Sequence, residues 1–435
     1  MSAAPHISRE ALLAQLRDAV GAAHVLTDDQ ATRRFRKGHR TGEGPVLAVV
    51  RPGTLLEQWK VLQAAVAAGR IVIMQAANTG LTGGSTPDGA NYDREIVLVN
   101  TLRITGVQVI AGGDQVVCLP GATLDKLEQT LAPLGREPHS VIGSSCIGAS
   151  VLGGICNNSG GALVRRGPAY TELALYARMK DDGTLELVNH TPEEILTRLQ
   201  NGDYAEADVE RDTGRAASDA RYAQDVRAVD ADTPARFNAD PSRLFEASGS
   251  AGKVCLFAVR LDTFPKEPST VFYIGSNTPD DLTAVRRHLL TALPRPPIAG
   301  EYIHRTAFDI GEKYGKDTFL LIDRFGTARV PAAFALKSRF DGFFERLGMR
   351  GFVDHAIQAV TRLLPSHLPR RVRQWRDLYE HHLLVRVSND QVEATRAFLT
   401  EHFANSTQGA WFECDAGEGR KAFLHRFAIA GAAIR

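Results

Sequence analysis

Apolar residues along the chain follow a helical spacing in some stretches and form short continuous runs in others. The spacing over 8–22 and again over 54–69 predicts two amphipathic helices, with Ser8 and Thr54 as the residues that cap them. Apolar runs at 46–50 and 71–74 flank the second helix and predict buried strands. The order strand, helix, strand indicates a β–α–β unit near the N-terminus.

Further apolar runs continue this pattern into the middle of the chain. A helical spacing over 124–131 ends before Pro133 and Gly135, which favour termination. Two strands joined at Asp181-Asp-Gly183 predict a hairpin. The remaining runs predict strands at 96–99, 107–110, 115–119 and 254–261.

Two strand-then-helix pairs, at 271–293 and 383–403, mark a second structural unit near the C-terminus. This order is typical of a ferredoxin-like α+β domain. Pro265-Lys-Glu-Pro268 precedes the first pair and favours a boundary. We therefore predict an α+β protein with one domain over 1–264 and a cap domain over 265–435. An acidic stretch at about 201–232, poor in large apolar residues, predicts an exposed insertion in the first domain.

Two glycine-rich stretches, 75–85 and 136–161, suit neither a helix nor a strand. Gly, Asn and Ser tolerate the backbone conformations that turn successive N–H groups toward one point, where an anion such as a pyrophosphate binds. A wide turn between strands is the alternative interpretation of either stretch alone. The occurrence of both in one chain favours a binding role.

Composition excludes several classes of protein. Apolar residues make up 44% and charged residues 23% of the 435, as in soluble globular proteins. No secretory signal and no run of about 18 apolar residues is present. The five cysteines include no C-x-x-C pair, and the histidines show no ligand spacing, so neither a disulfide framework nor a metal site is expected.

The sequence contains no complete copy of two common nucleotide-binding motifs. No G-x-G-x-x-G follows the first strand, so a nicotinamide site is unsupported. Residues 247–253 nearly match a P-loop, but Val254 stands where a Ser or Thr would hold magnesium. We interpret 247–253 as a turn leading into the strand that begins at Val254.

Positive charge is concentrated in Arg324–Arg376, which carries eleven basic and three acidic residues, whereas the whole chain has a net charge of +1. Four apolar residues within this basic segment follow a helical spacing, with basic residues between them: Phe340, Phe343, Phe344 and Leu347. A basic amphipathic helix of this kind favours an anionic phospholipid surface. Nucleic acid is the competing partner, which we do not expect, and a helix solvated on its own domain is the third possibility.

Several long runs of sequence resemble a known family. The two glycine-rich loops, which include Asn78-Thr-Gly-Leu-Thr82 and Gly153-Gly-Ile-Cys-Asn-Asn-Ser-Gly-Gly161, resemble the flavin-binding loops of the vanillyl-alcohol-oxidase/PCMH superfamily. At closer range the chain is similar to the quinone-dependent D-lactate dehydrogenases, which are peripheral membrane flavoenzymes. The runs that carry this closer resemblance are 74–82, 134–151, 153–161, 232–241, 300–302, 312–319, 365–369 and 421–427.

The resemblance implies a PCMH-type FAD-binding domain of two subdomains, followed by the ferredoxin-like cap with its basic membrane-binding insertion. It also implies that Gly143, Ser150 and Gly160 lie against the flavin ring and ribityl chain, and that Leu256 lies beside the adenine or ribose. For each residue, a turn or a core position is the alternative. The residues implied to contact the FAD phosphates are Ala76, Ala77, Asn78, Thr79, Gly80, Gly84 and Ser85.

The reaction implied by the resemblance is the oxidation of D-lactate to pyruvate, with electrons passed through FAD to a membrane quinone. It places the protein peripherally on the cytoplasmic face of the inner membrane. A substrate carboxylate requires a cationic partner, and a base must accept the hydroxyl proton. The adjacent pairs His304 with Arg305 and His425 with Arg426 are the candidates for these roles.

The sequence departs from the family pattern at one place. Members continue beyond the equivalent of Arg435 with a long segment that completes the cap and carries a His/Asn motif near the flavin. An FAD-binding or membrane-binding fragment without turnover is therefore an alternative function. A dehydrogenase for another D-2-hydroxy acid is a second alternative.

Overall fold

The structure is a computed structural model. It describes residues 7–38, 40–140, 147–191, 195, 198, 215–250, 252–326, 340, 344, 359 and 366–432. These residues form three β-sheets with helices packed between and around them. The strands of the first two sheets come from residues 25–265, and those of the third sheet come from residues 269–413.

The first sheet has the strand order β1-β2-β4-β3. Strands β2, β3 and β4 are parallel, so their carboxyl ends lie at one edge of the sheet. Helices α1 and α3 cover one face and α2 the other. The elements are α1 (Arg9–Val20), β1 (Val25–Leu26), α2 (Asp29–Arg36), β2 (Ala48–Val50), α3 (Leu55–Ala67), β3 (Ile71–Gln75) and β4 (Ile96–Asn100).

The second sheet is antiparallel and is organised around β10, which pairs with three other strands. Its order is β5-β6-β10-β8-β9, with β7 also paired to β10. The elements are β5 (Val107–Ile110), β6 (Gln115–Cys118), α4 (Leu124–Leu131), β7 (Arg136–Pro138), α5 (Val151–Cys156), β8 (Ala174–Met179), β9 (Leu185–Asn189) and β10 (Val254–Pro265). Helices α4 and α5 pack on one face of this sheet.

Helix α3 lies between the two sheets. Leu55 and Leu62 pack against the second sheet, whereas Val61 and Ala65 pack against the first. The Gln58 Nε2 donates a hydrogen bond to the Leu256 carbonyl at 2.8 Å, which ties α3 to β10. A single helix therefore supplies apolar contacts to both cores.

The predicted acidic insertion lies partly outside the described residues, which resume at 215. Its described part is not fully exposed, which corrects the prediction. Ala217 is buried, and the Asp262 carboxylate accepts hydrogen bonds from the backbone N–H groups of Ala217 and Ser218. Asp219 forms an ion pair with Arg243 in the interior. The segment also contains a short helix, α6 (Tyr222–Asp225).

The third sheet has the order β12-β13-β11-β14 and is antiparallel throughout. Helices α7 and α11 cover one face, which gives the βαββαβ arrangement of a ferredoxin-like domain. Helices α8, α9, α10 and α12 cover the other face. The elements are β11 (Ser269–Ser276), α7 (Pro279–Thr291), β12 (Ala299–His304), α8 (Arg305–Tyr314), α9 (Lys316–Phe325), α10 (Arg370–Leu378), β13 (His381–Ser388), α11 (Val392–Phe403), β14 (Gly409–Glu413) and α12 (Ala416–Ala432).

Most predicted elements are present, with small changes of boundary. The predicted helix over 54–69 is α3, and Thr54 caps it by accepting a hydrogen bond from the Glu57 N–H at 3.1 Å. Strands β2 and β3 of the predicted β–α–β unit are not neighbours, since β4 lies between them. The predicted basic helix falls largely outside the described residues, although Phe340 and Phe344 are helical. Within the described part, no helix is long and apolar enough to span a bilayer.

Candidate functional site

The first glycine-rich loop leaves β3 at the carboxyl edge of the first sheet and is anchored there by a buried glutamine. The Gln75 Nε2 donates hydrogen bonds to the Phe35 carbonyl at 2.7 Å and to the Ser85 carbonyl at 2.8 Å. Asn100, at the end of β4, donates to the Gln75 side-chain oxygen at 3.1 Å and to the Ala76 carbonyl at 2.9 Å. Both ends of the loop are therefore fixed to the sheet.

Asn78 shapes the middle of this loop. Its φ of 53° lies in the left-handed region, which asparagine tolerates better than most residues. Its side chain donates to the Lys37 carbonyl at 2.8 Å and accepts from the Ser85 hydroxyl at 2.9 Å. These contacts fix the conformation of the loop around Asn78.

The second loop is described from residue 147 onward, so Gly143 lies outside the described residues. Ser150 caps α5 by accepting a hydrogen bond from the Gly153 N–H at 3.1 Å. The Val151 N–H donates to the Ala122 carbonyl at 2.9 Å, and the Leu124 N–H donates to the Ala149 carbonyl at 2.9 Å. The loop is thereby attached to the start of α4.

A cleft of about 660 Å³ lies between the two loops. This volume falls in the range of about 300–1,000 Å³ typical of small-molecule and cofactor sites. The structure brings together here ten of the residues that the resemblance implied for cofactor binding. They are Ala76, Ala77, Asn78, Thr79, Gly80, Gly84, Ser85, Ser150, Gly160 and Leu256.

The walls of the cleft suit a bulky cofactor bound through backbone groups. A Cβ added to Gly80, Gly84 or Gly160 would meet no atom within 4 Å, so each glycine borders open space that a side chain would fill. Among the described residues that line the cleft, none carries a charge. A pyrophosphate in this cleft would therefore be bound by N–H and hydroxyl donors.

The comparisons with known proteins agree with this geometry. Residues 46–187 match the family model described as "FAD binding domain", and residues 271–435 match "D-lactate dehydrogenase, membrane binding". The "Quinone-dependent D-lactate dehydrogenase" of Escherichia coli (strain K12) is 55% identical over 100% of this chain and 78% of its own length. The chain belongs to this family. A relative of the same name from Haemophilus influenzae is 53% identical over 99% of this chain and 78% of its own length.

Solved structures of other proteins have a similar fold. A p-cresol methylhydroxylase with substrate bound has a TM-score of 0.56 at 11% identity, covering 97% of this chain and 71% of its own. An alkyldihydroxyacetonephosphate synthase has a TM-score of 0.56 at 10% identity, covering 96% and 65%. The predicted PCMH-type fold and α+β class are confirmed. The cofactor is FAD, as the FAD-binding domain indicates, and the membrane-binding domain indicates membrane association.

Several residues that line the cleft were not among the sequence predictions. The cap contributes Thr318 from α9 together with Phe427 and Ala430 from α12. Two of these, Thr318 and Phe427, lie in runs that carried the family resemblance, which was the available signal. Gly252 also lines the cleft, so the turn at 247–253 contributes to the site as well as leading into β10.

The structure places His304 and Arg305 at the start of α8, and neither is among the residues that line the cleft. His304 caps that helix, since its Nδ1 accepts a hydrogen bond from the Thr306 N–H at 3.1 Å. Its Nε2 lies 3.2 Å from a Glu380 carboxylate oxygen. These contacts give His304 a structural role in the cap.

His425 and Arg426 lie on α12, next in sequence to the cleft residue Phe427. Neither is itself among the residues that line the cleft. Burial lowers the pKa of His425 to about 4, and its Nε2 donates to the Phe308 carbonyl at 3.0 Å. Burial also lowers the pKa of Arg426, whose guanidinium lies 3.7 Å from the Glu301 carboxylate. Their neighbour Phe427 is the residue of this run that reaches the cleft.

Proposed function

We propose that this protein oxidises D-lactate to pyruvate and passes the two electrons to a membrane quinone. The observation that carries the proposal is the cleft between the two loops, in a chain 48–55% identical to relatives named for this reaction. FAD, when bound, accepts the two electrons released as the substrate is oxidised. The chain supplies the binding surface, the orientation and the exclusion of water.

The ten cleft residues and Gly143 are our proposed FAD ligands. Backbone and hydroxyl donors at 76–80 and 84–85 suit the phosphates, because that loop is anchored at both ends by Gln75 and Asn100. Gly160 suits close approach of the flavin, since no atom lies where its Cβ would project. Leu256 is 6% exposed and offers an apolar contact in the cleft.

The substrate carboxylate and hydroxyl require a cation and a base near the flavin. His304, Arg305, His425 and Arg426 stay predictions for these roles, and Arg426 is the most suitable of them. It precedes the cleft residue Phe427, and its Nε is buried with no hydrogen-bond partner among the described residues.

The proposed membrane contact is electrostatic and involves Arg324–Arg376 on the cytoplasmic face of the inner membrane. At the described end of this segment, Arg370 and Arg373 are exposed on α10. Arg376 is instead held by Asp309, with two hydrogen bonds of 2.6 Å. Exposed arginines on one helix suit anionic phospholipid headgroups, each contributing about 1 kcal/mol near the surface.

Anaerobic addition of D-lactate to the purified flavoprotein tests the enzymatic proposal. Loss of the oxidised-flavin absorption band, with one pyruvate formed per flavin, is the expected result. Bound flavin that stays oxidised would contradict the proposal and favour an FAD-binding role without turnover. Bleaching by another D-2-hydroxy acid, but not by D-lactate, would reassign the substrate.

Co-sedimentation with lipid vesicles tests the membrane contact. We expect binding to vesicles that contain phosphatidylglycerol, and loss of that binding as salt screens the charges. Binding to neutral vesicles that persists at high salt would contradict the electrostatic proposal. Tighter binding to duplex DNA than to the anionic vesicles would assign the basic segment to nucleic acid instead.

A further inference from the structure

Residues 162–165, here named the strap, leave the second loop and pair with the cap. The Gly300 N–H donates to the Ala162 carbonyl at 2.8 Å, and the Val164 N–H donates to the Ile298 carbonyl at 3.0 Å. Leu163 lies opposite Ala299 in an antiparallel bridge. The strap thus adds a short length of extended backbone to the edge strand β12.

Arg165 completes this attachment with its guanidinium. Its Nε donates to the Pro296 carbonyl at 2.7 Å, and its Nη1 donates to the Glu267 carboxylate at 2.8 Å. Its Nη2 donates to the Ser388 hydroxyl at 2.7 Å and lies 3.3 Å from the Gln391 side-chain oxygen. One side chain, 16% exposed, therefore contacts the segment before β12, the end of β13 and the residues before α11.

Glu267 extends this network into the linker between the two halves of the molecule. It lies between the end of β10 and the start of β11. Burial acts to raise the pKa of Glu267, but hydrogen bonds from Ser388 and Arg165 hold it below its ordinary value. The carboxylate is therefore ionised and balances the charge of Arg165. The pair is partly exposed, and its hydrogen bonds join the strap to this linker.

The other end of the strap leads directly to the cleft. Gly160, which lines the cleft, is two residues before Ala162. Phe423 of the cap packs against Ala162 and Leu163, and one turn later on α12 Phe427 lines the cleft. A movement of the strap relative to the cap would change the distance between the two walls of the site.

We propose that Arg165 is a positioning residue, which holds the cap in register with the second loop so that substrate and flavin meet in a reactive geometry. The inference rests on the proposed function, because it concerns the same cleft. None of the hydrogen-bond partners of Arg165 lines the cleft, so Arg165 acts on the site through the strap. Misplacement of reacting groups by about 1 Å costs on the order of 100-fold in rate.

Three variants of the FAD-loaded protein test this proposal. Arg165→Met removes the charge and the hydrogen bonds while keeping a long side chain, and Arg165→Lys restores the charge without the planar fork. Arg396→Gln is the matched control, because Arg396 pairs with Glu413 at 2.7 Å entirely within the cap. For Arg165→Met we expect flavin reduction by D-lactate to slow by about 100-fold, with FAD content unchanged. We expect partial recovery in Arg165→Lys and the wild-type rate in Arg396→Gln.

Hydrogen exchange provides a readout that does not depend on turnover. In Arg165→Met, amides of β12 and of the strap should exchange faster, whereas amides of β3 and β4 should keep the wild-type rate. A wild-type rate of flavin reduction in Arg165→Met would overturn the proposal, as would an equal loss in Arg396→Gln. If the wild-type protein itself fails to oxidise D-lactate, the proposed function fails. Unchanged exchange in β12 would then refute the positioning role separately.

Discussion

His382 makes the stability of the cap depend on pH in a calculable way. It lies on β13 with no exposed surface, and neither ring nitrogen has a hydrogen-bond partner among the described residues. Burial lowers its pKa from 6.5 to about 4, with smaller contributions from the positive charges of Arg305 and Arg376. The folded cap therefore favours the neutral ring, and the unfolded chain binds the proton more readily.

The stabilisation from the neutral ring is fully present above pH 6.5 and is lost as the pH falls toward 4. A shift from 6.5 to about 4 predicts a loss of about 2 kcal/mol between pH 8 and pH 5. His382→Leu removes this titration and places an apolar side chain where the imidazole ring contacts Tyr273 and Phe308. The variant should therefore lose about 2 kcal/mol less stability than the wild type over that range.

Urea unfolding at the two pH values measures this difference. Trp375 and Trp411 both lie in the cap, so their fluorescence in a Trp59→Phe background reports the cap transition. His381→Gln controls for removal of an imidazole from the neighbouring position of the same strand. The reasoning is refuted if wild type and His382→Leu lose the same free energy of unfolding between pH 8 and pH 5.

Further variants test the two loops and the cap of α3. Gln75→Leu leaves the Phe35 and Ser85 carbonyls without their donor, so we expect a loss of about 1–3 kcal/mol in thermal unfolding and weaker FAD binding by fluorescence titration. Gly160→Val places a branched side chain in the cleft, and the purified variant should contain less flavin by absorption; full occupancy would argue against the site. Thr54→Ala removes the N-cap of α3 and should cost about 1 kcal/mol of stability by calorimetry; an unchanged unfolding temperature would argue against the cap's contribution.

The sequence was most informative where local patterns determine structure. The apolar runs that became β4 and β5, and the cap at Thr54, depend on neighbouring residues and were predicted within a few positions. Glycine and asparagine content correctly indicated the first loop, because Asn78 adopts a left-handed conformation there. In these places local chemistry agreed with the final fold.

Contacts between distant segments were not predictable from local patterns. Thr318 and Phe427 line the cleft although their helices, α9 and α12, lie far along the chain from both loops, and no spacing in their own segments indicates this. The buried Asp219 was predicted to be exposed, since its acidic neighbours suggested solvent and its partner Arg243 lies far along the chain. The hydrogen bonds of Arg165 likewise depend on residues more than a hundred positions away.

The position of α3 has a consequence for how the FAD-binding half folds. Its two faces belong to different cores, so neither sheet completes its apolar interior without the same helix. The two sheets should therefore fold and unfold as one cooperative unit, although each carries its own flavin loop. The diameter of a helix with its side chains, about 10–12 Å, also sets the spacing of the sheets from which the loops emerge.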